Sequence, residues 1–322
     1  MASREIEFIQ LIYALAPDND STVVLGGGDD GAVVEIPPDH QVVWTVDTMV
    51  AGTHFFPETS PASIGHKILA VNLSDLAAMG AKPKWITLAL SHPDLNEHWL
   101  QAFCDGFFSL ARLHGVSLIG GDTTRGPLSL TVQAAGIVKK GRYLTRSGAK
   151  PDDLIYVTGT IGDAGLALKI LQSSPVSGSP SNDLLERLHH PTPRVAWGLA
   201  LAEFAHAAID ISDGLAHDLN QVLTASGVGG TLILEKIPVS GILADYIVQS
   251  QDWSLILAAG DDYELCFTTA PQHGPVIEKL ARQLAVPCTC VGQVSKKAGL
   301  HIEYQDGRPY VLSRWGYDHF AS

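Results

Sequence analysis

Apolar residues along this chain switch between a period of about 3.6 and runs typical of buried strands, and the switches predict alternating helices and strands. Residues 3–16 form an amphipathic helix with Ser3 as its N-cap and Ile6, Ile9, Ile12 and Tyr13 on one face. A second helix starts at Ser60-Pro61, a cap followed by proline at the first helical position, and runs to Met79 before Gly80. A third spans Leu95 to His114 and stops at Gly115. Strands are expected at 42–46, 85–91, 116–119 and 128–138. Further on, LIYVTG opens a new strand at Leu154. Helices near 163–171, 193–205 and 214–226 then alternate with strands near 207–211, 231–234, 255–259 and 264–269. Residues 173–182, SSPVSGSPSN, read as a surface loop. The mixture indicates an α/β (α+β) fold in layers, and the pattern leaves open which strands run parallel.

Length turns this into two domains, since 322 residues exceed the usual ~150 per domain. The basic cluster KKGRYLTRSGAKPDD, residues 139–153, is the expected linker, giving an N-terminal domain 1–138 and a C-terminal domain 154–322. A net charge of −13 argues against a nucleic-acid partner, because binding a phosphate backbone needs a basic stripe. The first residues, MASREIEFIQLIYALAP, lack the apolar core of a signal peptide, and no run approaches the ~20 apolar residues of a membrane span. A cytoplasmic protein without a membrane partner is therefore expected. Cys104, Cys266, Cys288 and Cys290 match neither a common zinc spacing nor a redox C-x-x-C, and read as reduced thiols.

The chemistry lies in aspartates that follow apolar runs beside glycine or serine: GGDD at 27–30, TVD at 45–47, GGD at 120–122, DISDG at 210–214 and GDD at 260–262. Singly, each is a turn, because glycine supplies positive φ and aspartate bonds its own backbone. Five together need more explanation. If five carboxylates met at about 7 Å, repulsion at an effective dielectric near 20 would be roughly 2 kcal/mol per pair, on the order of 20 kcal/mol over ten pairs. That exceeds the ~5–15 kcal/mol stability of a domain, so convergence demands divalent cations. Hard oxygen donors select Mg²⁺, Mn²⁺ or Ca²⁺ over zinc, and Mg²⁺ typically joins one or two carboxylates to substrate phosphates. Phosphoryl chemistry follows, although no Walker A, kinase or EF-hand signature is present. The spacing of Gly26, Gly28 and Gly31 fits G-x-G-x-x-G, but the acidic pair inside it would repel a pyrophosphate without metal.

The motifs GGGDDGAVV, VDTMVAGTHF (46–55), VNLSDLAAMGAKP (71–83), GGDTTRG (120–126), RSGAKPDD (146–153), DISDGL (210–215), GDDYEL (260–265) and GYDHF (316–320) resemble, in order, those of the thiamine-monophosphate kinase family. That family belongs to the PurM-like superfamily. The resemblance spans nearly the whole chain. It implies a two-domain PurM-like architecture, with an N-terminal mixed-sheet domain that dimerises and a C-terminal α/β sandwich domain whose last segment returns to the active site. It implies ATP as co-substrate, several Mg²⁺ ions, thiamine monophosphate as acceptor and a homodimer.

Residue by residue, the resemblance implies that Asp30, Asp47, Asp75, Asp122, Asp210 and Asp213 are magnesium ligands, with Thr45 and the backbone of Val46 as further donors. Gly121, Asp122, Arg146 and Ser212 match ATP contacts. His54, Asp261 and Tyr317 match substrate contacts; an acidic Asp261 and an aromatic Tyr317 suit a cation. Asp29 receives no role. Asp75 stands out without the family, since it sits in an apolar helix where a bare carboxylate is costly, unless it lies on an exposed polar face shared with Asn72. His54 reads equally as a packed histidine beside Phe55 and Phe56. The implied reaction is direct in-line transfer with no general base or covalent nucleophile, because the acceptor phosphate is already largely ionised near neutral pH. Other PurM-like enzymes fit less well: selenophosphate synthetase for want of a cysteine in the glycine-rich N-terminal segment, aminoimidazole ribonucleotide synthetase because of THF and GYDHF. A non-catalytic protein holding thiamine diphosphate or calcium is the alternative of another class.

Overall fold

Caps and close packing set the helices of the computed structural model, which describes residues 4–173 and 179–316. The chain divides into two units, Met1–Leu76 with Ala81–Arg142, and Ala77–Gly80 with Tyr143–Ser322. Residues 140–153 carry neither helix nor strand.

The first unit runs α1 (Arg4–Leu15), β1 (Val23–Leu25), β2 (Val33–Val34), β3 (His40–Val50), α2 (Pro61–Ala78), β4 (Lys82–His92), α3 (Glu97–His114), β5 (Ser117–Arg125) and β6 (Ser129–Lys139). Helix α2 starts where the Ser60 hydroxyl accepts the Ser63 N–H, with Pro61 in the first turn. Asn96 caps α3 by accepting from the Trp99 N–H, and Gly115 ends it in the left-handed region. Of the expected face of α1, Ile12 is buried and Ile9 and Tyr13 are half-buried, but Ile6 is 47% exposed and Phe8 is buried instead. The reason is tertiary, since α1 packs on α3 and β5. Ser3, its expected cap, lies outside the described residues.

The main sheet has the order β3-β6-β4-β5, with β4 and β5 parallel and the other pairs antiparallel. Pairing with the long β6 extends β3, and parallel pairing with β4 extends β5, well beyond the expected 42–46 and 116–119. Asp47 and Asp122 therefore lie inside strands instead of following them. Along β3 the side chains alternate: Thr45, Asp47 and Met49 share the face of Val132, Leu88 and Leu90, whereas Trp44 and Val46 point the other way. That second face is partly covered by Val23 and Val34 of the β1–β2 ribbon, packed on Trp85, Ile119, Ala135 and Ile137. Beyond the ribbon, Trp44 at 55% and Val46 at 59% exposure remain open.

The second unit runs β7 (Leu154–Thr158), α4 (Asp163–Gln172), α5 (Asn182–His189), α6 (Val195–Leu201), β8 (Ala207–Asp210), α7 (Leu215–Ser226), β9 (Gly229–Ile233), α8 (Gly241–Ser250), α9 (Ser254–Leu257), β10 (Leu265–Thr269), α10 (Gly274–Leu284), β11 (Cys288–Ser295) and β12 (Gly299–Glu303). Its sheet order is β12-β9-β11-β7-β10-β8, and only β12 and β9 pair in parallel. Ile155, Val157, Leu219, Leu232 and Val291 are among the side chains of its core. The expected strand at 255–259 is instead the single-turn α9, a short apolar run whose periodicity could not separate the two forms. Of the expected loop 173–182, residues 174–178 lie outside the described residues and Asn182 already starts α5. The four cysteines are unpaired. Among the described residues, no helix is long and apolar enough to cross a membrane.

Candidate functional site

In the first unit, the alternation of β3 points Thr45 and Asp47 at helix α2. There the Thr45 hydroxyl donates to Asp75 Oδ2, and the carboxyl groups of Asp47 and Asp75 share a hydrogen bond. Burial, then the charge of Asp75 and that hydrogen bond, push the Asp47 carboxyl up to about 7. Two carboxyls that share a proton are a pair brought closer than their charges allow. The polar-surface alternative for Asp75 does not hold: Asn72 is fully buried, its amide donating back to the Ile68 carbonyl at 2.9 Å, and Asp75 is itself half-buried. Val46 turns its side chain away, so only its backbone carbonyl could serve a cation there.

Asp122 is not part of this group. The register pairs it with Ala89 on β4, on the face opposite to Asp47. Strands β3 and β5 are the two edges of the sheet, three spacings of about 4.8 Å or roughly 14 Å apart. Within one chain the two aspartates cannot share a cation, whose oxygen ligands sit at about 2 Å. Gly121 precedes Asp122 because a Cβ there would lie 2.1 Å from the Leu88 carbonyl oxygen. Asp30 is exposed in the β1–β2 turn, its N–H accepted by Asp29 Oδ1 at 3.0 Å. Asp29 thus bonds the backbone of its own neighbour within that turn. His54 accepts the Val50 N–H on Nδ1 at 3.0 Å, which puts the proton of the neutral ring on Nε2.

In the second unit, β8 ends at the buried Asp210, and Ser212, Asp213 and Gly214 make the turn into α7. Three successive backbone N–H groups, of Ser212, Asp213 and Gly214, donate to Asp218 Oδ2 at 3.0, 3.1 and 3.2 Å. Asp218 Oδ1 lies 3.0 Å from His217 Nδ1, which is also 3.8 Å from Asp213. Burial raises the Asp218 carboxyl against the pull of His217 and the N–H donors. Asp213, His217 and Asp218 each bring one donor atom within 4.8 Å of the others, a spacing that could hold a cation.

The GDDYEL turn is laced to this one. Asp261 N–H donates to Ser212 O at 2.9 Å and Tyr263 N–H to Ile211 O at 2.8 Å. Gly260 makes that approach feasible, since a Cβ there would lie 2.0 Å from the Ser212 carbonyl oxygen. The structure thus brings Asp210, Ser212, Asp213 and Asp261 together. Arg146 is exposed in a separate segment, its carbonyl accepting from Ser226 Oγ at 3.3 Å. Tyr317 lies outside the described residues. The residue before it, Gly316, sits on the turn, where a Cβ would be 2.8 Å from the His217 Cβ and 2.9 Å from the Asp213 carbonyl oxygen.

Sequence reasoning missed Asp218 and a buried ionic group beneath the second turn. Glu264, fully buried, accepts from Arg194 Nε at 2.6 Å, Arg187 Nη2 at 3.1 Å and Thr158 Oγ1 at 2.7 Å. The adjacent Asp262 accepts the Gly162 N–H at 2.7 Å, and burial raises its carboxyl well above the ordinary range. The only local signal for any of these was acidity within GDDYEL.

The donors of both units are carboxylate, hydroxyl and backbone oxygens, with one imidazole, so the oxygen-rich set fits a hard cation such as Mg²⁺ and offers no thiolate cage for zinc. Comparison with known proteins narrows the chemistry further. The chain matches the AIR synthase related protein N-terminal domain over residues 28–138 and the C-terminal domain over 150–305. It is 45% identical to the thiamine-monophosphate kinase of Escherichia coli O157:H7, covering 100% of both chains. The crystal structure of the thiamine-monophosphate kinase from Stenotrophomonas maltophilia K279a superposes with a TM-score of 0.87 at 43% identity, over 96% of this chain and 99% of that one. The structure of AaThiL complexed with AMPPCP and TMP aligns with a TM-score of 0.75 at 28% identity, over 98% and 96% of the two chains.

Proposed function

Since the chain belongs to the thiamine-monophosphate kinase family, of two-domain PurM-like architecture, we propose that it phosphorylates thiamine monophosphate to thiamine diphosphate by direct in-line, Mg²⁺-assisted transfer of the γ-phosphoryl group of ATP. The observation that carries the metal-assisted reading is the Thr45–Asp47–Asp75 group, a hydroxyl bonded to one of two neighbouring carboxyls whose burial and mutual repulsion push Asp47 up. Mg²⁺, when bound, neutralises phosphate charge and aligns attacking and leaving oxygens.

The chain's own residues do the holding. Thr45, Asp47 and Asp75 hold one cation position, and Asp122 at the far sheet edge serves a second. Asp210 and Asp213 serve a third, on the turn that Asp218 fixes, and Asp30 and the Val46 carbonyl complete the set. Arg146, Gly121 and Ser212 contact ATP. His54 presents Nε2–H to the acceptor phosphate, while Asp261 and Tyr317 meet the cationic thiamine moiety. No side chain acts as general base, since the acceptor oxygen is already ionised. The open sheet face around Trp44 and Val46 seats a second copy of the chain, as contiguous exposed apolar surface on a strand invites. A mass of twice 34.3 kDa by light scattering tests that dimer. The charge, the thiols and the want of an apolar spanning helix among the described residues fit a place in the cytoplasm.

The direct test is chromatographic. ATP and thiamine monophosphate yield thiamine diphosphate and ADP, EDTA stops the reaction and Mg²⁺ restores it. ATP consumption that requires some other acceptor would overturn the assignment, and ligand binding without turnover would favour the non-catalytic reading.

The shared proton adds a pH signature. A carboxyl raised from 3.8 to about 7 stabilises the metal-free fold below pH 4, and that contribution is lost as pH rises through about 7. A cation favours the ionised pair, so binding expels the proton. Mg²⁺ affinity is expected to rise between about pH 6 and pH 8. Calorimetric titrations in buffers of different ionisation enthalpy should register release of up to one proton at pH 6.5 and almost none at pH 9. Binding independent of both pH and buffer contradicts the shared-proton site.

A further inference from the structure

The turn that carries Asp261 is held in a conformation its side chains do not favour. Asp261 has φ 70° and Tyr263 has φ 50°, both in the left-handed region. Aspartate enters that region readily, but for an aromatic residue it is strained. The turn is fixed from three sides: by the bonds of Asp261 and Tyr263 to Ser212 and Ile211, by Asp262 on the Gly162 N–H, and by Glu264 between Arg187 and Arg194. The left-handed backbone turns the Tyr263 ring back along the chain. Its hydroxyl donates to Asp261 Oδ1 at 3.0 Å, two residues away.

We propose that Tyr263 is a positioning residue for substrate capture, holding the Asp261 carboxylate in the orientation from which it meets the cationic, amine-bearing end of thiamine monophosphate. The proposal rests on Asp261 being a substrate contact. A carboxylate with one oxygen hydrogen-bonded is restrained about its last bond, so the direction of its other oxygen is biased before the substrate arrives. Such pre-organisation spares the ordering cost on binding. It acts on capture of the acceptor and leaves ATP and phosphoryl transfer untouched. Tyr263 and Asp261 are therefore coupled, and the value of each depends on the other.

A double-mutant cycle with Tyr263→Phe and Asp261→Asn tests this, reading KM for thiamine monophosphate, KM for ATP, kcat and melting temperature. Tyr263→Phe is expected to raise KM for thiamine monophosphate about five-fold, the worth of one hydrogen bond, with kcat and KM for ATP within about two-fold. Calorimetric binding of thiamine monophosphate to the Mg²⁺-loaded protein without ATP should weaken by the same factor. In the Asp261→Asn background the tyrosine substitution should add little. If Asp261→Asn raises KM but the two effects multiply independently, Tyr263 supports only the fold and the positioning role is overturned. If Asp261→Asn leaves KM unchanged, the substrate contact itself fails and takes this inference with it, while phosphorylation of thiamine monophosphate by the unaltered chain remains a separate measurement.

Discussion

Asp47→Asn abolishes turnover while the protein stays folded. Asparagine has the shape of aspartate and can still hydrogen-bond Asp75, so the contact between β3 and α2 survives. What it removes is the negative charge that makes Asp47 costly without metal and useful with it. Two consequences of opposite sign follow. The metal-free variant melts no lower than the parent, because the repulsion within the pair is gone. Mg²⁺ affinity at this position collapses, and kcat falls by at least about 10³-fold, as expected when the charge that organises a phosphoryl-transfer site is lost. Asp122→Asn should be as damaging for a different reason, since its carboxylate stands at the other edge and face of the sheet and cannot be replaced by Asp47. Turnover, Mg²⁺ titration and melting temperature on the two variants check all of this. Near-parental activity in either would remove that residue from the site.

Aspartate acts this way only because the strands present it, and strand presentation was the part least visible in the chain. Helices α2 and α3 were legible because their signals are local: Ser60 and Pro61 at one start, Gly115 at one end. The length of β3 depends on β6, some ninety residues away, whose pairing draws residues 40–50 into one ladder. Asp47 and Asp122 could be picked out as chemically unusual, but nothing near them in sequence says that they face opposite sides of one sheet. That knowledge requires the order β3-β6-β4-β5 and its register. The same applies beneath the second turn. Glu264 stands out as acidic in GDDYEL, yet its partners Arg187 and Arg194 are 77 and 70 residues away, in a stretch that reads as helix ends and loop. Asp29, without a role in the motif, accepts the N–H of Asp30 inside the β1–β2 turn, a contact between neighbours that the sequence carried but did not distinguish from any other Asp-Gly turn.

Asp218 is the sharper case, and its removal should be the most damaging change outside the ligand set. It lies in α7, eight residues beyond Asp210, and by pattern it is one more polar position on an amphipathic helix. In the structure it is 2% exposed and accepts three successive N–H groups of the turn that carries Ser212 and Asp213. Asp218→Ala leaves those donors without their acceptor. A buried donor left unsatisfied costs about 1–3 kcal/mol, and the turn will escape part of that by opening toward water. The expected loss is about 2–4 kcal/mol, a fall in melting temperature of roughly 5–10 °C. Function should suffer more than stability, because the opened turn no longer holds Asp213 beside Asp210 or Ser212 against Asp261. We expect kcat/KM for ATP to drop by at least about 10²-fold even at temperatures where the variant is fully folded. Asp218→Asn separates the two effects: its amide oxygen can still collect the N–H groups, so it should keep most of the stability and part of the activity. If Asp218→Ala loses stability but keeps parental Mg²⁺ and ATP affinity, the turn is a scaffold feature and the placement of Ser212 and Asp213 does not depend on it.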